Sequence, residues 1–209
     1  MGLLWDKIFI ISLPAEKTRR GRIIQNLKAL NFLDYEVFSA IKPEFKSIPE
    51  EHYCHMSKKY NKKYVVGACG CSYSHKEIIK LAKERNYKSF LVFEDDAVIN
   101  KKILLILNNF IQQLGTRSWA MIYLGFKHKI KKQKQVSKNI VEAAGLYSTY
   151  GYIMHNSIYD FVINNMNKSG KEIDVFYCTK VHTKFPTYCM IPQMVKEGTG
   201  ISSITGRKH

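Results

Sequence analysis

Residues 90–99 read Phe-Leu-Val-Phe-Glu-Asp-Asp-Ala-Val-Ile, so three carboxylates in a row interrupt an otherwise apolar strand. Ionised carboxylates at the end of a buried strand repel one another and lose hydration, which is tolerated where they face a wet cleft or a cation. Hard divalent cations such as Mg2+ and Mn2+ take oxygen ligands and commonly bridge carboxylates to phosphates. The sequence therefore predicts a metal and diphosphate site where this strand ends.

The three acids are not equivalent if the strand continues through them. Alternation along a strand sends Glu94 and Asp96 to one side and Asp95 to the other, which makes Glu94 and Asp96 the pair expected to face the cleft. An alternative interpretation is an acidic cluster at the N-terminus of the helix predicted over residues 101–114. Asn100 separates that helix from the acids, which favours the cleft.

The composition indicates one domain over residues 1–209 with an anionic partner. The chain has 45% hydrophobic residues and a formal net charge of +16, from 33 basic and 17 acidic residues. Such a charge attracts nucleic acid, acidic lipid headgroups or phosphorylated substrates, and charge alone does not choose among them. Because the lysines are dispersed and surround no known motif, we expect no specific nucleic-acid partner.

No apolar run approaches the roughly 20 residues that a membrane-spanning helix requires. The N-terminus also lacks the basic, apolar and small-residue regions of a signal peptide. We therefore expect a cytoplasmic protein, with peripheral contact to an anionic membrane as a further option.

The five cysteines indicate reduced thiols, since the number is odd and no C-x-x-C pair is present. Cys69, Cys71 and His75 are three possible zinc ligands close together in the sequence. Their spacing is poor for a structural zinc site, and a fourth ligand is not evident. The sequence therefore does not favour zinc.

Apolar runs that alternate with amphipathic stretches divide most of the chain into strands and helices. Besides the strand that ends in the acids, the predicted strands cover residues 7–13, 35–40, 119–124, 147–155 and 188–192. The predicted helices follow residue 14, begin at capping boxes at Ser74 and Ser157, cover residues 101–114, and open at Asp174. Residues 42–64 and 126–139 are predicted as loops, the second of them exposed and rich in lysine.

This alternation predicts an α/β fold with a mostly parallel sheet and helices on both faces. Ligands of such folds bind beyond the carboxyl ends of the strands, which is where the acidic triplet is placed.

Two segments resemble the signature of glycosyltransferase family 25, which includes bacterial lipooligosaccharide galactosyltransferases and collagen hydroxylysine galactosyltransferases. Residues 70–75 read Gly-Cys-Ser-Tyr-Ser-His, and residues 91–97 read Leu-Val-Phe-Glu-Asp-Asp-Ala. Weaker similarities occur in the family's order along the chain, at residues 11–13 with Arg19, 38–40, 119–125, 150–153 and 173–175.

The resemblance implies a glycosyltransferase A-type, Rossmann-like fold, a UDP-hexose donor and Mn2+ or Mg2+ at the acidic motif. Sugar transfer from UDP-hexose expels a diphosphate, whose charge a metal neutralises. By the same resemblance Asp96 ligates the metal, Glu94 contacts the metal or the donor ribose, and Asp95 supports them. The residues implied to bind the donor are Ile11, Ser12, Leu13, Arg19, Ala40, Ser74, His75, Glu94 and Asp95.

Some of these residues have ordinary alternatives. Arg19 alone is better explained as an ordinary surface cation of the first helix, and His75 is equally a surface histidine near a helix start. Inverting transfer needs a base for the acceptor hydroxyl, and Asp174 is the candidate, with a helix N-terminal acid as the alternative.

The chain departs from the family pattern at three positions. Ser12 replaces an asparagine, Ala120 replaces an aspartate, and Ser203 stands where the terminal motif has an acid. Despite these departures, the acidic motif and the family resemblance together imply a metal-dependent transfer of galactose or glucose from a UDP-sugar to a glycan, lipooligosaccharide or glycoprotein hydroxyl. The alternative is a catalytically inactive protein of the same fold that binds anionic partners.

Overall fold

The computed structural model describes residues 3–128 and 133–199. The strands are β1 (Lys7–Ser12), β2 (Tyr35–Ser39), β3 (Ser89–Glu94), β4 (Ala97–Ile99), β5 (Met121–Tyr123), β6 (Lys127–His128), β7 (Gln135–Ser137), β8 (Ile140–Glu142), β9 (Leu146–Tyr147), β10 (Gly151–His155), β11 (Thr187–Met190) and β12 (Val195–Glu197). The helices are α1 (Lys17–Ala29), α2 (Lys62–Glu84), α3 (Ile103–Leu114), α4 (Tyr159–Asn165) and α5 (Ile173–Phe176), and α5 continues as a π-helical turn over Tyr177–Val181. The predicted alternation of strands and helices is confirmed.

Eight strands form the main sheet in the order β2-β1-β3-β10-β5-β11-β8-β7. β1 is parallel to β2 and β3, and β5 is parallel to β11, whereas β10 and β8 are antiparallel to their neighbours. Six of the eight strands therefore run in one direction. The sheet is mixed and mostly parallel, as predicted.

The register of the sheet brings the carboxyl ends of β1, β2 and β3 to one edge. Ile11 in β1 lies opposite Glu94 in β3, and Ser12 lies opposite Ser39 in β2. Phe9 and Ile10 are both fully buried, as expected for a strand that is covered on both faces and therefore apolar at successive positions. The acidic triplet consequently lies at the ligand-binding edge of the sheet.

Helices cover both faces of this sheet. Buried residues of α2, α4 and α5, such as Ile79, pack with Val92 against one face, while residues of α1 and α3, such as Leu107, pack with Leu91 against the other. Among the described residues, no helix combines the length and the apolar character that crossing a bilayer requires. The core thus consists of two apolar layers separated by the sheet.

The start of α2 was predicted wrongly. The helix begins at Lys62, where the Asn61 side chain accepts a hydrogen bond from the backbone N–H of Tyr64, and Ser74 lies inside it. The Ser74 hydroxyl donates to the carbonyl of Gly70 at 2.7 Å and accepts from the backbone N–H of Ile41 at 2.8 Å. Ser74 therefore joins the helix to the segment after β2 and does not cap a helix.

Three other segments also differ from the prediction. Residues 126–139 are not one exposed loop, since Phe126 and Asn139 are buried and the described parts include β6 and β7. Residues 147–155 form two strands, β9 and β10, and are not continuous. Ser157 does not cap α4, because a 3-10 turn over Asn156–Ile158 precedes that helix.

Gly70 is required by the close approach of α2 to the segment after β2. A Cβ atom at Gly70 would lie 2.4 Å from the backbone oxygen of Ile41, whereas one at Gly21 in α1 would meet nothing within 4 Å. Alanine is a better helix former than glycine by about 0.5–1 kcal/mol. Alanine substitution at the two positions therefore distinguishes the effect of helix propensity from the effect of packing.

We predict that Gly70→Ala lowers the free energy of unfolding by about 1–3 kcal/mol, the usual cost of overpacking, in spite of its gain in propensity. The matched control Gly21→Ala should raise it by up to about 1 kcal/mol. Chemical denaturation of both variants measures the difference. Equal shifts in the two variants would contradict the close contact at Gly70.

Candidate functional site

The acidic triplet is a strand end followed by a turn. Glu94 is the last residue of β3, and Asp95 and Asp96 form the turn that leads into β4. The backbone N–H of Asp95 donates to the carbonyl of Ile11 at 3.0 Å, and the N–H of Gly198 donates to the carbonyl of Asp96 at 2.8 Å. The backbone of the turn is thus fixed to β1 on one side and to the segment after β12 on the other.

The alternation that divided the three acids ends at Glu94, because Asp95 and Asp96 are not in the strand. Alternation therefore does not reach Asp96, and the prediction that Glu94 and Asp96 face one cleft stays a prediction; the charges of both act on Cys71. Asp95 and Asp96 both contact the Arg19 guanidinium, whereas Glu94 lies beside α2 and contacts His75. The turn therefore presents its carboxylates to the helices on both faces of the sheet.

Arg19 of α1 balances the two aspartates. Its Nη2 atom lies 2.6 Å from Oδ2 of Asp96 and 3.0 Å from Oδ1 of Asp95. Burial raises the pKa of Asp96, and the nearby charge of Glu94 raises it further, while Arg19 opposes both effects. Burial likewise raises the pKa of Asp95, against a hydrogen bond from Ser12 and the charge of Arg19. Arg19 is therefore part of the site and not an ordinary surface cation.

Glu94 has a separate set of partners. The Thr149 hydroxyl donates to Oε1 of Glu94 at 2.5 Å, and Nε2 of His75 lies 3.5 Å from the same oxygen. Burial alone would raise the pKa of Glu94, but His75, Thr149 and Arg19 together lower it. A carboxylate oxygen of Glu94 also lies within 4.8 Å of Sγ of Cys71, which is one turn before His75 on α2. His75 is fully buried, so it is not a surface histidine.

The residues predicted to hold the nucleotide lie at the same edge of the sheet. The carbonyls of Ile11, Ser12 and Leu13 each accept a hydrogen bond, from Asp95, Ala40 and the Arg20 side chain respectively. Ala40 is also predicted to bind the nucleotide, and its backbone N–H donates to the carbonyl of Ser12 at 2.9 Å. These backbone groups support the strand ends. The Leu13 carbonyl also accepts from the Glu16 N–H at 3.0 Å and the Ser12 hydroxyl at 3.2 Å, so it is saturated and a base at this residue would need another group.

Two cavities lie beside the acidic turn and meet at Gly198 and Thr199. One of about 240 Å³ is bounded by α1 and the turn, and includes Arg19, Asp95 and Asp96. The other, of about 870 Å³, is lined by Asn100, Lys102, Ile106, Phe126, Lys127, Tyr150, Pro192, Gln193, Met194, Lys196, Glu197, Gly198 and Thr199. Its volume is in the range of sites for small organic ligands.

Asp174, the candidate base, lies at the start of α5 and is close enough for its charge to act on Cys71. Burial raises the pKa of Asp174 to about 6, while its hydrogen bond from the backbone N–H of Val175 opposes the rise and the charges of Glu172 and Glu94 add to it. Asp174 is the acid of the first turn of α5, as its alternative interpretation has it, and its role as a base stays a prediction.

The acidic turn can accept a divalent cation. Oδ1 of Asp96 is buried and has no hydrogen-bond partner among the described residues. The charge of Glu94 acts on Asp96, so a second carboxylate is near. Carboxylate oxygens suit Mn2+ or Mg2+, and a cation would relieve the repulsion that raises the pKa of Asp96.

Two of the three departures from the family pattern, Ala120 and Ser203, lie in different parts of the chain. Ala120 is buried just before the start of β5. Because β5 runs in the same direction as β3, the start of β5 lies at the edge of the sheet opposite the acidic turn, which follows the end of β3. The replacement of an aspartate by Ala120 therefore leaves the site untouched. Ser203 and residues 200–204 lie outside the described residues, so their part in the site stays a prediction.

Sequence reasoning missed Thr149 and Tyr152 and did not favour Cys71 as a ligand, yet all three contact the predicted residues. Cys71 and Thr149 lie beside Glu94, and the Tyr152 hydroxyl lies 2.8 Å from Nδ1 of His75. The four-residue spacing of Cys71 and His75 was a usable signal once both belong to one helix. Tyr152 is in β10 and Thr149 is in the segment before it, and only the order of strands in the sheet brings both beside β3 and α2.

Comparison with known proteins finds curated relatives of part of this chain. Procollagen galactosyltransferase 2 of Homo sapiens is 27% identical over 166 residues, and procollagen galactosyltransferase 1-A of Xenopus laevis is 29% identical over 163 residues. Each alignment covers 72% of this chain and 26% of the relative. The chain therefore spans about a quarter of the length of these curated relatives.

A solved structure and a family model complete the comparison. The crystal structure of A197 from STIV has a TM-score of 0.51 and 12% identity, covering 97% of this chain and 91% of that one, which is a likeness of fold. The family model described as glycosyltransferase family 25 (LPS biosynthesis protein) matches residues 5–177, which include the whole acidic turn, Arg19, His75 and Asp174. The chain belongs to glycosyltransferase family 25.

Proposed function

We propose that this protein is a metal-dependent glycosyltransferase that moves galactose or glucose from a UDP-hexose to a hydroxyl group of an acceptor. The observation that supports this most is Asp96, whose buried Oδ1 lacks a hydrogen-bond partner among the described residues. Asp96 lies beside Glu94 at the carboxyl edge of a mostly parallel sheet and borders a cavity. Family membership supports a nucleotide-sugar donor for such a site.

In this proposal the carboxylates of the turn and Arg19 have different tasks. Asp96 and Glu94 hold a divalent cation, Mn2+ or Mg2+, which supplies positive charge to the diphosphate leaving group. Arg19 fixes the carboxylate of Asp96 through a contact of 2.6 Å and adds its own positive charge at the same place. Fixed charges of this kind stabilise a leaving group most where water is excluded.

The uridine is placed at the ends of β1 and β2, next to Ser12 and Ala40. Their backbones lie at the edge where parallel strands bind nucleotides, and the smaller cavity extends from the turn along α1. Ser12 is buried, so its exchange for the family's asparagine changes a supporting residue and not an exposed contact. Ser74 acts indirectly, since its hydroxyl holds the segment after β2.

Asp174 is the proposed base for the acceptor hydroxyl in an inverting transfer. It lies on the Glu94 side of the turn, where its charge and that of Glu94 both act on Cys71. An ionised Asp174 would accept the proton as the hydroxyl attacks the anomeric carbon. Positioning and proton acceptance together account for much of the rate in such steps.

The acceptor is proposed to be a glycan, a lipooligosaccharide or a hydroxylysine-bearing glycoprotein. The family description and the procollagen galactosyltransferases among its relatives support this range. A formal net charge of +16 favours an anionic acceptor within it. Contact with an anionic membrane stays a prediction from this charge alone.

We predict that Asp96→Asn lowers Mn2+-dependent turnover of UDP-galactose or UDP-glucose by at least about 100-fold, because the site loses a charged ligand. Asp160→Asn is the control, since Asp160 is an exposed acid that pairs with Lys83 away from the turn. Turnover is measured by release of UDP, and UDP affinity by calorimetry with and without Mn2+. Undiminished turnover in Asp96→Asn would contradict the metal role, and UDP binding without turnover of any UDP-hexose would favour the inactive alternative.

We predict that kcat/KM for the acceptor rises with pH through about 6, because Asp174 must be ionised and its pKa is raised to about 6. Asp174→Asn should lower kcat by about 10²–10⁴-fold and remove this acidic limb. Glu172→Gln is the control. It should keep kcat at neutral pH and shift the limb to lower pH, because the charge of Glu172 contributes to the raised pKa. An acidic limb that persists in Asp174→Asn would assign the limb to another group, such as Asp96, whose pKa burial raises to about 7, and would contradict Asp174 as its source.

A further inference from the structure

Three different donor atoms converge beside the acidic turn on the α2 side. Sγ of Cys71, a ring nitrogen of His75 and a carboxylate oxygen of Glu94 all lie within 4.8 Å of one another. Cys71 and His75 are four residues apart in α2, so their side chains project from the same helix face. Glu94 reaches them from the end of β3, which anchors the third donor on a different element.

The orientation of His75 leaves one nitrogen for this cluster. Nδ1 of His75 lies 2.8 Å from the Tyr152 hydroxyl, while Nε2 lies 3.5 Å from Oε1 of Glu94. His75 is 0% exposed, and its Nε2 has no hydrogen-bond partner in the described part of the chain. Glu94 at 3.5 Å is too far for a strong hydrogen bond, so a ligand bound at Nε2 would satisfy this buried nitrogen better.

Outer contacts fix the donors as they do in known metal sites. Metal-bound histidines usually donate their other ring N–H to an oxygen, and here Tyr152 offers that oxygen. The Tyr152 hydroxyl lies 3.2 Å from the Tyr177 hydroxyl, which continues the hydrogen bonding into the core. Thr149 holds the carboxylate of Glu94 through its bond of 2.5 Å. The cluster therefore has a preformed second layer of contacts.

We propose that Cys71, His75 and Glu94 form a second metal site, for a borderline-soft cation of the zinc class. A thiolate with an imidazole and a carboxylate suits Zn2+ or Co2+, whereas Mn2+ and Mg2+ prefer oxygen ligands alone. Ligand atoms of a tetrahedral zinc site lie about 3.5 Å apart, as follows from bonds of about 2.0–2.3 Å. Closing the separations of up to 4.8 Å needs only small side-chain rotations.

Binding at this site has a defined proton balance. The Cys71 thiol must lose its proton to solvent as the sulfur–metal bond forms, while His75 binds as a neutral imidazole through Nε2. Three protein ligands leave a fourth position for water or another small ligand. The sequence disfavours zinc because the spacing of Cys69, Cys71 and His75 is poor and a fourth ligand is not evident. In the structure the Cys69 sulfur lies 3.9 Å from the carbonyl of His52, and Glu94 takes its place beside Cys71 and His75.

Glu94 is shared between this site and the proposed donor site. Occupation by zinc would therefore compete for the carboxylate that the proposed function assigns to the donor cation. This coupling rests on the proposed function, but the site itself rests on the three donors and the orientation of His75. The test below consequently uses no UDP-sugar.

Co2+ is the probe, because a bound cobalt thiolate gives a charge-transfer absorption band in the near ultraviolet. Titration of the reduced full chain with Co2+ should give this band at a 1:1 ratio, and added Zn2+ should remove it. Cys71→Ser should abolish the band. His75→Gln should weaken Co2+ affinity by at least about 10-fold, as expected for the loss of a ligand. Cys69→Ser is the matched control, since it removes a buried thiol from the same helix and should leave the band unchanged.

Circular dichroism of each variant shows that the fold is kept, and His75→Gln provides the test if Cys71→Ser fails to fold. Asp96→Asn should retain the band, so that failure of the donor site is distinguished from failure of this one. The proposal is overturned if the wild-type chain gives no band, or if the band persists in Cys71→Ser. It is equally overturned if affinity is unchanged in His75→Gln, in which case Nε2 serves only an ion pair with Glu94.

Discussion

The fold places three neighbouring carboxylates at the end of a central strand, and the cost of burying them determines what surrounds that end. Asp95 and Asp96 are compensated by Arg19 from α1, and Glu94 by Thr149 and the α2 face. Burying such charges without partners would cost several kcal/mol for each ion. The helices on the two faces therefore meet the acidic turn from opposite sides, and a buried oxygen of Asp96 stays without a hydrogen-bond partner among the described residues.

Much of the architecture could be predicted from local pattern. The buried strands β1 and β3 have continuous apolar runs, and the amphipathic period of α3 ends at Gly115, whose φ is +57°. The start of α2 could not be predicted in this way, because it depends on tertiary packing. Gly70 lowers helix propensity, yet it lies inside α2 because only glycine allows the close approach to Ile41.

The site could likewise be predicted only in part, because local pattern gives the identity and place of the acids but not their contacts. The acids and their place at a strand end follow from the sequence, but their directions do not, since β3 ends at Glu94 and period-two alternation then no longer applies. Contacts between distant segments were also hidden. Thr149 meets Glu94 because antiparallel β10 pairs with β3, and Gly198 meets Asp96 because β12 pairs with β4. Such pairings depend on sheet order, which no local pattern encodes.

Anomalous X-ray diffraction from crystals grown with UDP and Mn2+ tests most directly whether the acidic turn is a metal and diphosphate site. We expect one manganese peak within bonding distance of a carboxylate oxygen of Asp96 and of the UDP diphosphate, on the side of the turn that borders the cavities. Arg19 should keep its contact with Asp95. A manganese peak that contacts neither Asp96 nor Glu94, or UDP bound at this edge without manganese, would contradict the assignment.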